Sequence, residues 1–148
     1  MAAVRRADAS WDGDLTSGRG QVSASTSGVF HGLEVSWARR SEPEAQGRTS
    51  PEELLAAAHA SCFAMALSNG LAKAGTPPQH LDVNATVTFD RVGDGFKVVS
   101  SVLDVRGRVP NADAGGFQKA AEDAKDNCPI SQALKNNVQL SVTANLER

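Results

Sequence analysis

The chain has 148 residues, 41% hydrophobic and 22% charged, which predicts one compact domain over residues 1–148, able to bury about 70% of its unfolded surface. A net charge of -2 and a pI near 5.9 leave no electrostatic case for nucleic acid or an anionic membrane surface, so small substrates and protein partners remain. No apolar core follows Arg5 and Arg6, and no apolar run is expected to approach the roughly 18 residues of a membrane span, so the expected location is cytoplasmic.

Strand signals come first along the chain. Val4 to Trp11, Gln21 to Ser27 and Val29 to Trp37, separated by Gly13-Asp14, the turn-rich stretch 16–20 and Gly28, predict a small antiparallel meander. A polar loop is expected from Arg39 to Thr49. A helix then starts with Ser50 as N-cap, Pro51 at the first helical position, where its missing N–H costs nothing, and Glu53 completing a capping box. Its alanine-rich body ends at Gly75, with Pro77-Pro78 beyond.

From Leu54 to Leu67 the only strongly polar side chain besides Ser61 is His59. A helix that is apolar nearly all round must be enclosed on all sides. One sheet covers one face, so the expected cover for the other is a second copy of the same helix in an isologous homodimer; the alternative is a monomer whose second helix supplies the cover. Trp37, Phe63 and Met65 are expected in the core, or lining an apolar pocket.

Leu81, Val83, Ala85, Val87 and Phe89 alternate with polar residues, and a turn at Gly93-Asp94-Gly95 joins this strand to a second one, Phe96 through Val109, in a long hairpin. A helix from Ala114 to Asp126 places Phe117, Ala120, Ala121 and Ala124 on one stripe. Cys128-Pro129-Ile130-Ser131 opens a short third helix through Leu134, and Val138, Leu140, Val142, Ala144 and Leu146 alternate in a closing strand. The predicted class is α+β with mainly antiparallel pairing.

The two cysteines stand in different surroundings, Cys62 in the uncharged helix and Cys128 beside a proline that pins its backbone. Two thiols are too few for a disulfide scaffold. In a reducing compartment such a pair points to redox chemistry, with one thiol that attacks and one that resolves the product. An ordinary thiol, with a pKa of about 8.5, is only a few per cent ionised at neutral pH, and burial lowers that fraction further. Cys62 therefore requires a cation, and arginine suits because it stays charged when desolvated and presents a rigid fork of donors. Cys128, as N-cap of the short helix, would face N–H groups that favour a thiolate. His59, three residues before Cys62, suggests a Cys-His hydrolase pair less well than a satisfied interior histidine, because nothing in the sequence supplies a group to orient it. Two cysteines and three scattered histidines match no metal pattern.

Thr49-Ser50-Pro51-Glu52-Glu53-Leu54, Ala58-His59-Ala60-Ser61-Cys62-Phe63, Cys128-Pro129-Ile130-Ser131 and the Gly93-Asp94-Gly95-Phe96 turn together resemble the OsmC/Ohr family of thiol-dependent organic hydroperoxide reductases, and within it the OsmC branch. The resemblance spans the whole chain. It implies an OsmC-like fold, with mainly antiparallel sheets around a central buried helix in an intertwined homodimer. It further implies no cofactor, organic hydroperoxides reduced through Cys62 and a Cys62–Cys128 disulfide in oxidative or osmotic stress defence, and regeneration by a small thiol or a lipoyl-type dithiol. The arginine implied follows the third strand, where Arg40 is favoured over Arg39; Arg19, in the glycine-rich turn, matches the Ohr-like position.

Glu52 lies ten residues before Cys62, which on a helix is about 15 Å along the axis. If it serves the sulfur it does so in trans, from behind the arginine that it orients bidentately, a role the resemblance also implies. An acid in the first turn would equally stabilise the helix dipole. The alternative to an enzyme is a non-catalytic thiol protein that binds small hydrophobic electrophiles or senses oxidants.

Overall fold

A computed structural model describes all of residues 1–148. Backbone contacts divide the chain into two compact units, Met1–Leu54 and Leu55–Arg148.

The first unit is built on a three-stranded antiparallel meander of β1 (Asp8–Asp12), β2 (Arg19–Ser23) and β3 (Leu33–Val35), as expected, though each strand is shorter than the apolar pattern suggested. The expected strand ending at Trp37 and polar loop from Arg39 are corrected: residues Trp37–Ser41 form a short helix, α1. The cause is Ser36, whose hydroxyl accepts from the Arg39 N–H and so caps one of the orphan donors of the first turn.

The long helix α2 (Pro51–Lys73) begins at the end of this unit and runs on into the second. Ser50 caps it as predicted, its hydroxyl accepting from the Glu53 N–H at 3.1 Å. The other half of the capping box is diverted, since the Glu53 carboxylate accepts from the Thr49 hydroxyl at 2.8 Å. At the far end Gly75 turns left-handed, with φ of 85°, while its N–H reaches the Ala72 carbonyl and that of Thr76 reaches Leu71. This is a Schellman closure.

In the second unit β4 (His80–Val92) and β5 (Gly95–Arg108) make the expected hairpin, interrupted by a bulge at Thr88/Phe89. The helices α3 (Ala114–Asn127) and α4 (Pro129–Leu134) follow, and β6 (Gln139–Glu147) returns to pair with β5 in parallel. That one parallel pair departs from the otherwise antiparallel pattern because a helical crossover, not a tight turn, joins its strands.

Burial on β5 alternates, with Ser101, Leu103, Val105 and Gly107 facing inward. Leu103 and Val105 join Phe117, Ala121 and Ala124 of α3 and Phe63, Leu67 and Leu71 of α2 in one apolar core. Gly107 is required by closeness: a Cβ there would lie 2.6 Å from the Phe117 ring.

Burial on α2 recurs every fourth residue through His59, Phe63, Leu67 and Leu71, one stripe of the helix. The opposite side is open in the single chain. Met65 lies off this stripe and is 68% exposed, so it is not in the core, and the alternative expectation, a place in the lining of a pocket, fits it better. The expectation that no run suits a membrane span is also corrected: at 23 residues α2 is long and apolar enough by length and composition, since its serines, His59 and Asn69 interrupt the run without lowering its hydropathy enough.

Candidate functional site

Cys128 caps α4. Its sulfur accepts from the Ser131 backbone N–H at 3.3 Å and from the Ser131 hydroxyl at 3.4 Å, and Pro129 occupies the first helical position as predicted. Cys128 is fully buried and Cys62 half-buried, both as free thiols. They are brought together: burial pushes the Cys62 thiol up, the Ile130 N–H opposes that shift, and the adjacent Cys128 thiol, within hydrogen-bonding reach, adds to it. Cys62 opens onto a cleft of about 720 Å³, bordered by Met65 and Ala66 of α2, Ala120 and Ala124 of α3, and Pro129.

His59 is fully buried one turn before Cys62. The orienting groups that sequence reasoning missed are two serines, Ser101 Oγ at 2.6 Å from Nδ1 and Ser131 Oγ at 2.8 Å from Nε2. Ser101 had left a signal, being a polar residue at an inward position of an otherwise apolar alternation. Burial holds the imidazole below its ordinary pKa and therefore neutral.

In the first unit, α1 delivers Arg40 to Glu52 at the start of α2. The guanidinium donates from Nε to both carboxylate oxygens, at 3.1 and 3.2 Å, and from Nη2 to Oε1 at 2.8 Å. Glu52 is buried and Arg40 partly so, which makes this pair unlike the exposed ion pairs elsewhere in the chain. The other two candidate arginines are placed differently. Arg39 is engaged with the Glu44 carbonyl and, at 3.4 Å, the Glu42 carboxylate. Arg19 stands exposed at the start of β2, opposite Asp12 in the ladder. Arg40 also borders an apolar hollow of about 360 Å³ formed with Trp11, Leu15, Val35, Trp37 and Pro51. Trp37 is half-buried there, so its pocket-lining alternative fits better than a core position.

A partly exposed guanidinium forked onto a buried carboxylate in the first unit, and two thiols in reach of one another beside a neutral histidine in the second, are the candidate site residues of this α+β protein. The family model described as OsmC-like protein matches residues 43–143, and the chain belongs to that family. It is 41% identical over 140 residues to peroxiredoxin OsmC of Escherichia coli, covering 95% of this chain and 96% of that one. It is 29% identical over 96 residues to an organic hydroperoxide resistance protein of Xanthomonas axonopodis, covering 64% and 66%. Among solved structures, an OsmC-like protein from Mycoplasma pneumoniae superposes with a TM-score of 0.73 over the whole of both chains at 14% identity.

Proposed function

We propose that this protein is a cysteine peroxidase that reduces organic hydroperoxides, and hydrogen peroxide more slowly, in defence against oxidative or osmotic stress. The observation that carries the reading is the juxtaposition of the Cys62 and Cys128 thiols. The names of the relatives, a peroxiredoxin and an organic hydroperoxide resistance protein, support the same substrate class.

In the first step the Cys62 thiolate attacks the distal peroxide oxygen. An S–O bond forms, the O–O bond breaks, and the alkoxide leaves as the alcohol after taking a proton. In the second step the Cys128 thiolate attacks the sulfenic sulfur, closing the disulfide and releasing water. An external dithiol of the lipoyl type then restores both thiols by exchange.

The first step requires an ionised Cys62, yet burial and Cys128 both act against ionisation. The Arg40–Glu52 pair is the proposed remedy: Glu52 presents the guanidinium, which stabilises the thiolate and the departing oxygen. Because the helical rise separates Glu52 from the Cys62 of its own chain, the pair is proposed to serve a second copy in a homodimer. The open side of α2 supports that assembly, and the apolar hollow beside Arg40 suits the organic part of the substrate. On this reading residues 1–148 act as one OsmC-like domain in the cytoplasm.

The raised Cys62 thiol is what favours the second reading, a non-catalytic binder or sensor. Stopped-flow oxidation by cumene hydroperoxide separates the two. A peroxidase must react far faster than free cysteine at the same thiolate fraction and lose that rate in Cys62→Ser. After one equivalent of hydroperoxide, non-reducing peptide mapping should recover Cys62 linked to Cys128 within one chain; failure to find that peptide removes the resolving role from Cys128.

A further inference from the structure

We propose that His59 and Ser131 are positioning residues for the second step, together orienting the Cys128 sulfur and stabilising the charge it carries as it attacks oxidised Cys62. The inference rests on the peroxidase reading above. It starts from a continuous chain of hydrogen bonds: Ser101 to His59 Nδ1 at 2.6 Å, His59 Nε2 to Ser131 at 2.8 Å, and the Ser131 hydroxyl to Cys128 Sγ at 3.4 Å. The last bond sets the direction of the others. With its proton committed to sulfur, the Ser131 oxygen accepts from Nε2–H, and Nδ1 then accepts from the Ser101 hydroxyl. Every donor points towards Cys128, so the bonds polarise one another in the same sense.

Ser101, His59, Ser131 and Cys128 are all fully buried. An enclosed polar row is costly unless satisfied, and apolar side chains would fill the same space at less cost in desolvation. The row ends on a nucleophile, which gives it a chemical use. A neutral imidazole is what the chain requires, because an imidazolium would donate from both nitrogens and reverse the Ser101 bond, and burial disfavours the charged form.

The step balances without a further reagent. The Cys128 thiolate supplies the electron pair of the new S–S bond, the S–O bond of the Cys62 sulfenic acid breaks, and the oxygen leaves with the pair of that broken S–O bond. It takes up the proton that Cys128 released and departs as water. His59 touches neither reacting oxygen nor Cys62 sulfur in this scheme; it acts through Ser131.

The test times the two steps separately after one equivalent of cumene hydroperoxide, with dimedone trapping for sulfenic acid and quenched mass spectrometry for the disulfide. In Ser131→Ala the rate of disulfide formation should fall about 10- to 100-fold relative to that of sulfenic-acid formation, the worth of a hydrogen bond to a charged group. His59→Leu should fall similarly, while His59→Gln, whose amide can still donate to Ser131, should recover most of the loss. Ser101→Ala, at the far end, should show a smaller drop and guards against misfolding of the other variants. An unchanged ratio in Ser131→Ala, or equal losses in His59→Gln and His59→Leu, overturns the inference while leaving the peroxidase reading intact. A parent protein that accumulates sulfenic acid and never forms the disulfide overturns the resolving role of Cys128 and the inference with it.

Discussion

Arg40 meets Glu52 fork to carboxylate, Nη2 at 2.8 Å and Nε at 3.1 Å from the same oxygen, with the acid buried and the arginine partly shielded. Two donors from one planar group fix orientation as well as attraction. Arg40→Lys keeps the charge and loses the fork, and Glu52→Gln keeps the shape and loses the counter-charge. Each should lower kcat/KM for cumene hydroperoxide about 10- to 100-fold, the range for a hydrogen bond to a charged group. Arg39→Lys, whose partners are a carbonyl and an exposed acid, should stay near the parent value.

The ionisation of Cys62 supplies a sharper measurement. In the single chain burial raises this thiol and Cys128 adds to the shift, so any lowering must come from elsewhere. Titration of the thiolate absorbance near 240 nm should find Cys62 ionising at markedly higher pH in Arg40→Ala than in the parent. The activity of that variant should accordingly be restored in part at alkaline pH. Identical titrations in the two proteins would remove Arg40 from the mechanism.

His59 links stability to acidity. Its folded pKa lies below the ordinary value of 6.5 because the buried ring resists charging. Below about pH 6.5 the unfolded chain therefore takes up a proton that the folded chain does not. Stability is full above that pH and is lost as pH falls towards the folded value, by at most about 1.4 kcal/mol per pH unit for this one group. Urea unfolding at pH 7.5 and pH 5.5 should show the loss in the parent and a smaller one in His59→Gln.

Gly107 and Phe117 share space that a single methyl would fill. The ring lies 2.6 Å from where a Cβ would stand, so Gly107→Ala should destabilise the protein by about 1–3 kcal/mol through overpacking. Phe117→Leu should cost stability alone and yet offset part of the Gly107→Ala effect, a non-additive pair in a denaturation cycle.

The exposed side of α2 predicts an assembly. Met65 is 68% exposed on a helix that is otherwise almost uncharged. Met65→Glu should shift sedimentation from dimer towards monomer and slow peroxide reduction together, if a partner completes the site. A parent protein that sediments as a monomer at micromolar concentration would exclude the trans arrangement of Arg40 and Glu52.

Local chemistry was legible without the fold. Ser50-Pro51 announced the start of α2, Gly75 its end, the Gly93-Asp94 turn the hairpin, and Cys128-Pro129 the short helix, since each signal is a property of a few adjacent residues. The helix holding Arg40 was missed because Ser36 sits at the end of an apolar run, where β-type alternation masks a cap. The parallel pairing of β6 with β5 was equally hidden, since alternation shows that a strand is half-buried and not which neighbour it joins.

The sequence by itself determined most of the elements, the two thiols in their different surroundings and the small set of arginines from which one could be chosen. Only the tertiary structure decided that Arg40 is the arginine clamped by Glu52, and that His59 finds its partners 42 and 72 residues away, in Ser101 and Ser131. The reason is physical: caps and turns are closed by neighbours along the chain, whereas a buried polar group is satisfied by whatever the packing of distant elements sets beside it.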